Sequence, residues 1–252
     1  TPTEPSMTLP VHLVPSLESA TTGSAVTVEG DEAHHAVAVR RLRVGEQVVL
    51  TDGRGRSVVG EVTSTGKRVF DVEVVSAERV PEPAPSLTVV QALPKGDRGE
   101  LAVEVLTEVG VARVVPWAAS RSVAVWKGDR AAKSLARWRS TAREAAKQAR
   151  RPWHPEVDAL AGTADVAELL RGADLAVVLH EDATEPLSGV DVPPHGHVVV
   201  VVGPEGGVSP DELAAFSQAG ARVVRLGEEV LRTSTAGVVA CAALLARTSR
   251  WS

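Results

Sequence analysis

Val198-Val199-Val200-Val201-Val202-Gly203-Pro204-Glu205-Gly206-Gly207-Val208-Ser209-Pro210-Asp211-Glu212 is the stretch that decides the fold. Five consecutive valines leave no polar side for water, so they read as a strand covered on both faces, the mark of a parallel sheet between helical layers. The glycine-rich turn after them can bring backbone close to a ligand, and ligands of open α/β sheets bind at the carboxyl ends of strands. Ser209, with Pro210 at the first helical position and Glu212 three residues after the serine, forms a capping box that starts a helix and implies no chemistry. The loop matches neither G-x-G-x-x-G nor the P-loop, so a dinucleotide or ATP fold is not supported.

Downstream, a strand over 222–226 leads into Leu226-Gly227-Glu228-Glu229-Val230-Leu231-Arg232-Thr233-Ser234-Thr235-Ala236 and then a final helix over 235–247. Two such loops from neighbouring strands can line one pocket. Arg232 sets a cation beside hydroxyls at a helix start; an N-cap accounts for one hydroxyl but not for the arginine. Upstream, strands over 87–93, 111–115 and 175–180 alternate with helices over 98–109, 130–151 and 165–170, and a further helix covers 210–219. Gly110 stops the first of these helices and Pro152 the second. The class is α/β with a mostly parallel sheet over 87–252. Pro81-Glu82-Pro83-Ala84-Pro85-Ser86 sets three prolines in five residues, which neither a helix nor a central strand tolerates, and marks a linker over 81–86. Ahead of it, Val- and Thr-rich segments over 25–28, 47–51, 57–63 and 69–75, with Asp52-Gly53-Arg54-Gly55 as a turn, predict a small β-barrel or sandwich over 7–80. Residues 31–43 read as a short helix that carries Arg40, Arg41 and Arg43 towards its end. Residues 1–6 hold two prolines and no periodic pattern, and read as a floppy terminus.

Composition narrows the function. The 252 residues, 44% apolar and 23% charged, can bury a sizeable core in one large or two small domains. No run nears the roughly 18 apolar residues of a membrane span and no signal-peptide pattern is visible, so no membrane partner and a cytoplasmic location are expected. Cys241, the single cysteine, excludes an intramolecular disulfide and a cysteine-rich zinc site. His195 and His197 lack a third ligand, so no metal is expected. The chain has no tyrosine, isoleucine or asparagine, which excludes N-glycosylation and a Cys/His/Asn protease. A net charge of −5 leans away from nucleic acid until it is located: residues 121–154 hold ten Lys or Arg against Asp129 and Glu144, a net +8 that leaves −13 on the rest. On the long helix, Leu135, Trp138, Ala142, Ala145 and Ala149 form an apolar stripe beside Arg130, Lys133, Arg137, Arg143, Lys147 and Arg151, a cationic stripe about 33 Å long at roughly 1.5 Å per residue. A solvated face is the ordinary explanation of such a run, but acidic partners at helical spacing are almost missing, which favours a phosphate backbone. Arg121, Arg137, Arg143, Lys147 and Arg151, with Arg40, Arg41 and Arg43, are the candidate RNA-binding residues.

Together these motifs carry a likeness. Lys95-Gly96-Asp97-Arg98, Thr107-Glu108-Val109-Gly110-Val111, Arg121-Ser122-Val123, Arg137-Trp138 with Glu144-Ala145-Ala146 and Gln148, Gly203-Pro204-Glu205-Gly206-Gly207, and Leu226-Gly227 through Leu231-Arg232-Thr233 stand in the order seen in the RsmE-type methyltransferases of the SPOUT superfamily. His35, residues 40–43 and Asp52-Gly53 resemble that family's N-terminal PUA-like RNA-binding barrel. The resemblance implies methylation of a small-subunit ribosomal RNA uridine at N3, on free RNA or on the assembled small ribosomal subunit. It also implies a homodimer, and a C-terminal domain threaded as a trefoil knot, a rare exception to unknotted topology. It implies S-adenosylmethionine held by the two glycine loops, through Gly203, Glu205, Gly206, Leu226, Gly227, Leu231, Thr233 and Ala236. The chemistry then asks for a cation near the developing uracil anion, for which Arg232 is the candidate, and a base, for which Glu205 is the nearest motif carboxylate unless it orients the loop or cofactor instead. Three positions depart from the family pattern: Glu229 stands where arginine is usual, Ser234 where glutamate is usual, and Val105 where lysine is common. The other readings are a SPOUT enzyme with another RNA target, its ribose-modifying branch disfavoured by the lack of asparagine, and a catalytically inactive RNA-binding protein.

Overall fold

The computed structural model describes residues 9–251, so the expectation for residues 1–6 lies outside the described residues. The chain divides into two compact units: the first runs to Glu82 and includes Arg150–Trp153, and the second takes Pro83–Ala149 and the chain from His154 onward.

In the first unit, strands β1 (Val11–Leu13), β2 (Ala25–Glu29), β3 (Gln47–Thr51), β4 (Arg56–Thr65) and β5 (Val69–Arg79) form one sheet in the order β1-β3-β4-β5-β2. All pairings are antiparallel except β1 with β3. The small barrel expected takes the form of a half-barrel sheet, with β1 and β2 as its edges, and the sandwich alternative falls away. Register shifts at Val59/Gly60 and Val62/Ser64 add local twist to the β4–β5 pair. Val48, Leu50, Val62, Phe70 and Val72 fill the concave side, all with no solvent exposure. The helix expected over 31–43 is shorter. Helix α1 (Gly30–His34) passes into a π-helical turn over His35–Val39, and Leu42 then turns back into the core, its N–H bonded to Ala36 O at 3.1 Å. Burying Leu42 ends the helix, so Arg40 caps it, Arg41 adopts φ +58°, and Arg43 lies beyond it.

The second unit alternates strands and helices: β6 (Ser86–Ala92), α2 (Arg98–Val109), β7 (Arg113–Trp117), α3 (Asp129–Gln148), β8 (Glu156–Val157), α4 (Thr163–Arg171), β9 (Leu175–Leu179), β10 (Glu185–Pro186), β11 (His197–Val202), α5 (Pro210–Gln218), β12 (Arg222–Arg225) and α6 (Thr233–Leu245). The seven strands are all parallel, in the order β10-β12-β9-β11-β6-β7-β8. The five valines serve two cores in alternation, as a period of two requires. Val198, Val200 and Val202 pack with Val103 and Leu106 of α2, Trp138 of α3 and Leu244 of α6, while Val199 and Val201 pack with Val166 and Leu170 of α4 and Phe216 of α5. Cys241 of α6 is wholly buried in the first of these cores, and that burial pushes its thiol up to about 12. Helix α3 stops at Gln148 rather than at Arg151. Ala149 caps it and Arg150 takes φ +51°, which leaves a helix of 20 residues, about 30 Å.

Candidate active site

The carboxyl ends of β9, β11 and β12 open into a cavity of about 660 Å³, within the range of small-ligand sites. Residues 202–208 after β11, 225–233 around the end of β12, Ala236 of α6 and residues 179–182 after β9 line it, together with Lys95, Arg98 and Arg121. The two glycine loops do not come from neighbouring strands, as the sequence suggested; β9 lies between β11 and β12. That intervening strand is why His180, Glu181 and Asp182 share the wall, although no motif marks them. Gly203, Glu205, Gly206, Leu226, Gly227, Leu231, Thr233, Ala236 and Arg232 all line this one cavity.

Local packing explains the residue types. A side chain at Gly203 would meet Val208 Cγ2 at 2.7 Å, and one at Gly206 would meet the Arg121 carbonyl oxygen at 3.0 Å, so any larger residue at either position would push these neighbours aside. Three loops are tied together around it. Glu205 Oε1 accepts the Lys95 N–H at 3.1 Å, and Arg121 Nη1 donates to Gly206 O at 3.3 Å. Lys95 opens the turn into α2, whose Gly99 leaves room for Trp138, its missing Cβ lying 2.7 Å from Trp138 Nε1. Behind the loop, Glu212 is 3% exposed and takes N–H bonds from Ser120 at 2.7 Å and from Ser209 at 3.0 Å. Burial alone would raise its carboxyl; those donors, with the Ser209 hydroxyl and Ser120, hold it below the ordinary carboxylate value. The second loop is anchored by buried Gln91 at the end of β6, whose Nε2 donates to Thr233 O at 3.1 Å. No sequence signal pointed to Gln91, because its partner stands 142 positions along the chain.

No hydroxyl caps α6. The N-cap is Arg232 itself, with no side-chain cap bond, and Thr233 and Ser234 are buried in the first turn. Thr235 Oγ1 donates to Arg232 O at 3.3 Å. Ser234 Oγ has no hydrogen-bond partner among the described residues.

The candidate RNA-binding residues divide between the units. Arg40, Arg41 and Arg43 are exposed in the first, where half-buried Arg151 also falls, off the helix on which it was expected. In the second, Arg121 lines the cavity, Arg137 pairs with Glu100 of α2 at 3.3 Å, and Arg143 lies 3.6 Å from Glu144. Lys147 pairs with Glu144 at 2.9 Å and its side chain is only 10% exposed. The cationic stripe is therefore less free than its spacing implied. Glu144 engages two of its members, and α2 supplies an acid that helical periodicity within α3 cannot reveal.

Comparison with known proteins accords with this geometry. Residues 81–245 match the RNA methyltransferase domain family and residues 28–75 the RNA methyltransferase PUA domain family. The chain is 48% identical over 234 residues to ribosomal RNA small subunit methyltransferase E of Mycobacterium bovis, covering 91% of this chain and 89% of that protein. The Bacillus subtilis protein of the same name is 28% identical over 226 residues, 86% of this chain and 88% of its own. A crystal structure of the Neisseria gonorrhoeae protein bound to S-adenosyl methionine superposes with a TM-score of 0.86 at 27% identity, covering 97% of this chain and 100% of that one. A parallel sheet with two glycine loops at its carboxyl edge, preceded by a PUA-type sheet, thus places the chain in the RNA methyltransferase family, among the ribosomal RNA small subunit methyltransferase E proteins.

Proposed function

We propose that the chain is an S-adenosylmethionine-dependent methyltransferase that methylates N3 of a uridine in small-subunit ribosomal RNA. The observation that carries this reading is the single cavity in which both glycine loops meet Arg232 and Arg121. The residues fit the cofactor. The cavity has the volume for it, Gly203, Gly206 and Gly227 expose backbone groups, and Leu226, Leu231 and Ala236 give small apolar contacts. When bound, the cofactor supplies an activated methyl group on a cationic sulfur. The chain's own tasks are to align the base and to help its N3–H proton leave. Arg232 is the cation that favours the uracil anion so formed. Glu205 has two possible tasks, and the bond from Lys95 N–H supports the positioning one, because one of its oxygens already holds two loops together. Calorimetry with S-adenosylmethionine, followed by nucleoside mass analysis of a methylated small-subunit RNA fragment, tests the reading. Cofactor binding and 3-methyluridine are expected. A different modified nucleoside points to another target, and RNA binding with no cofactor heat points to an inactive binder.

The finer features of the family extend the reading: a knotted C-terminal passage, a cytoplasmic site of action and a homodimer. Support for the dimer lies in α6, which has no polar face; Val239 on its outer side is 42% exposed, and Leu101 of α2, against which α6 packs, is 44% exposed.

A further inference from the structure

We propose that the β3–β4 turn and Arg150 together form a phosphate-contact point for RNA in the N-terminal unit. The inference rests on the reading of the substrate as RNA and adds two residues, Arg54 and Arg150, that were not among the candidate RNA-binding residues. Among the described residues only Arg41 and Arg150 adopt positive φ without being glycine, at +58° and +51°. A left-handed backbone is disfavoured for any L side chain, and helices ordinarily end there on glycine. This chain does so after α2, at Gly110 with φ +101°. Keeping arginine after α3 carries a backbone cost that glycine would remove, and residues held so gather at functional sites.

The segment that follows Arg150 is braced against the β3–β4 turn. Gly55 N–H donates to Pro152 O at 2.8 Å, Trp153 Nε1 donates to Val80 O at 2.9 Å, and Arg54 is bridged to Trp153. A side chain at Gly55 would stand 2.6 Å from the Trp153 ring, so this contact requires glycine. Arg54 sits between Gly53 and Gly55, whose φ values of +67° and +89° bend the chain sharply on both sides of it. Arg54 and Arg150 are both exposed, and neither side chain has a hydrogen bond or ion pair among the described residues. Their neighbours do not neutralise them. The Asp52 carboxylate is turned onto the backbone N–H groups of Arg54 and Arg56, at 2.7 and 3.1 Å, and Arg56 is committed to the Leu17 and Glu18 carbonyls. Two uncompensated guanidinium groups on a braced turn suit the phosphodiester oxygens of RNA, which they can meet in a fork.

The test measures binding of the full chain to a small-subunit ribosomal RNA fragment across a salt series, for wild type, Arg54→Ala, Arg150→Gly, Arg150→Lys and the double variant Arg54→Ala/Arg150→Gly. Each loss of a guanidinium is expected to weaken binding several-fold and to reduce the slope of log affinity against log salt by about 0.7 to 0.9. Arg150→Lys should keep most of that slope. Arg150→Gly should hold or raise the thermal midpoint, so its lost binding cannot come from unfolding. Arg171→Ala, which removes an exposed arginine paired with Glu168, should change nothing. An unchanged slope in the double variant, or a falling midpoint in Arg150→Gly, overturns the site. A wild-type chain without salt-dependent RNA binding overturns the RNA reading instead, and is recognised by the absence of any slope to lose.

Discussion

Arg232 stands where a helix ordinarily takes Ser, Thr, Asp or Asn, and its charge lies at the end of α6 that the helix dipole makes positive. Three hydroxyl residues follow it, so a better cap is one position away in sequence and is not used. A local rule broken beside the cavity is what the proposed role of Arg232 leads one to expect. Arg232→Ser should therefore stabilise the fold by about 1 kcal/mol while methyl transfer falls about 100-fold or more and cofactor affinity stays near wild type. Thermal denaturation, calorimetry and single-turnover transfer read the three quantities; an active serine variant refutes the role. Glu205 separates differently. Glu205→Gln keeps an oxygen for the Lys95 N–H and should retain most activity with an unaltered pH profile if the side chain positions loops, whereas Glu205→Ala should lose cofactor affinity. Loss of activity in the glutamine variant, together with loss of the acid limb of the profile, would establish the base instead.

At the scale of elements, the strand-loop-helix passage through residues 202–212 was legible because each of its parts is local. The valine run, the glycines and the Ser209 to Glu212 capping box are complete within the fifteen residues from Val198 to Glu212, and the structure shows both arms of that box, at 3.3 and 3.0 Å. The second task of Glu212 was not legible. Its oxygen reaches Ser120, in another loop 92 positions away, and so fastens the loop after β7 to the start of α5. Glu212→Ala should cost about 2 to 3 kcal/mol, because it leaves the Ser120 and Ser209 N–H groups without their acceptor in a buried place. Since the folded carboxyl sits below its ordinary 4.5, its contribution is complete above that value and fades as pH falls through the lowered one. Acid unfolding of wild type beside this variant, followed by circular dichroism, should show the gap between them narrowing below pH 4.5. Equal stability at neutral pH would refute it. The wall contributed by residues 179–182 was hidden for a related reason: strand order, which sets β9 between the two glycine loops, is written in no single segment.

For the molecule as a whole, the class and the order of the five helices and five longer strands of the second unit followed from periodicity; the two-residue strands β8 and β10 are too short to carry a period, and the other errors fall at the ends of helices. Leu42 draws the chain out of a helix, and α3 stops three residues early at Gln148, with Arg150 beyond its cap at positive φ. A polar cluster also lies at the edge of the sheet opposite the cavity. At the amino edge, His197 Nε2 lies 2.7 Å from Thr88 Oγ1, and the His197 backbone N–H donates to Asp174 Oδ2 at 2.7 Å. Burial, and then the charge of Arg113, push its imidazole below the ordinary 6.5, against a smaller pull from Asp174. A histidine held neutral by folding gives stability that is complete above 6.5 and is lost as pH falls towards the lowered value. The thermal midpoint should therefore decline below pH 6.5, and His197→Gln should flatten that part of the curve; an identical slope in the variant refutes the assignment. Dimerisation belongs to this scale too. If the proposed dimer forms through α6, Val239→Glu should leave a monomer in light scattering without altering the far-ultraviolet spectrum, and an unchanged mass would refute that interface.

Cys241 offers a consequence of another kind. A lone thiol with no solvent exposure, pushed up to about 12 by its burial, is closed to reagents that attack thiolates while the fold stays shut. It is thus a natural clock for the breathing of α6. The rate at which a small alkylating reagent consumes this sulfur measures how often the helix capped by Arg232 lifts from the sheet. Slower labelling with cofactor present would show that filling the cavity stills the helix behind it.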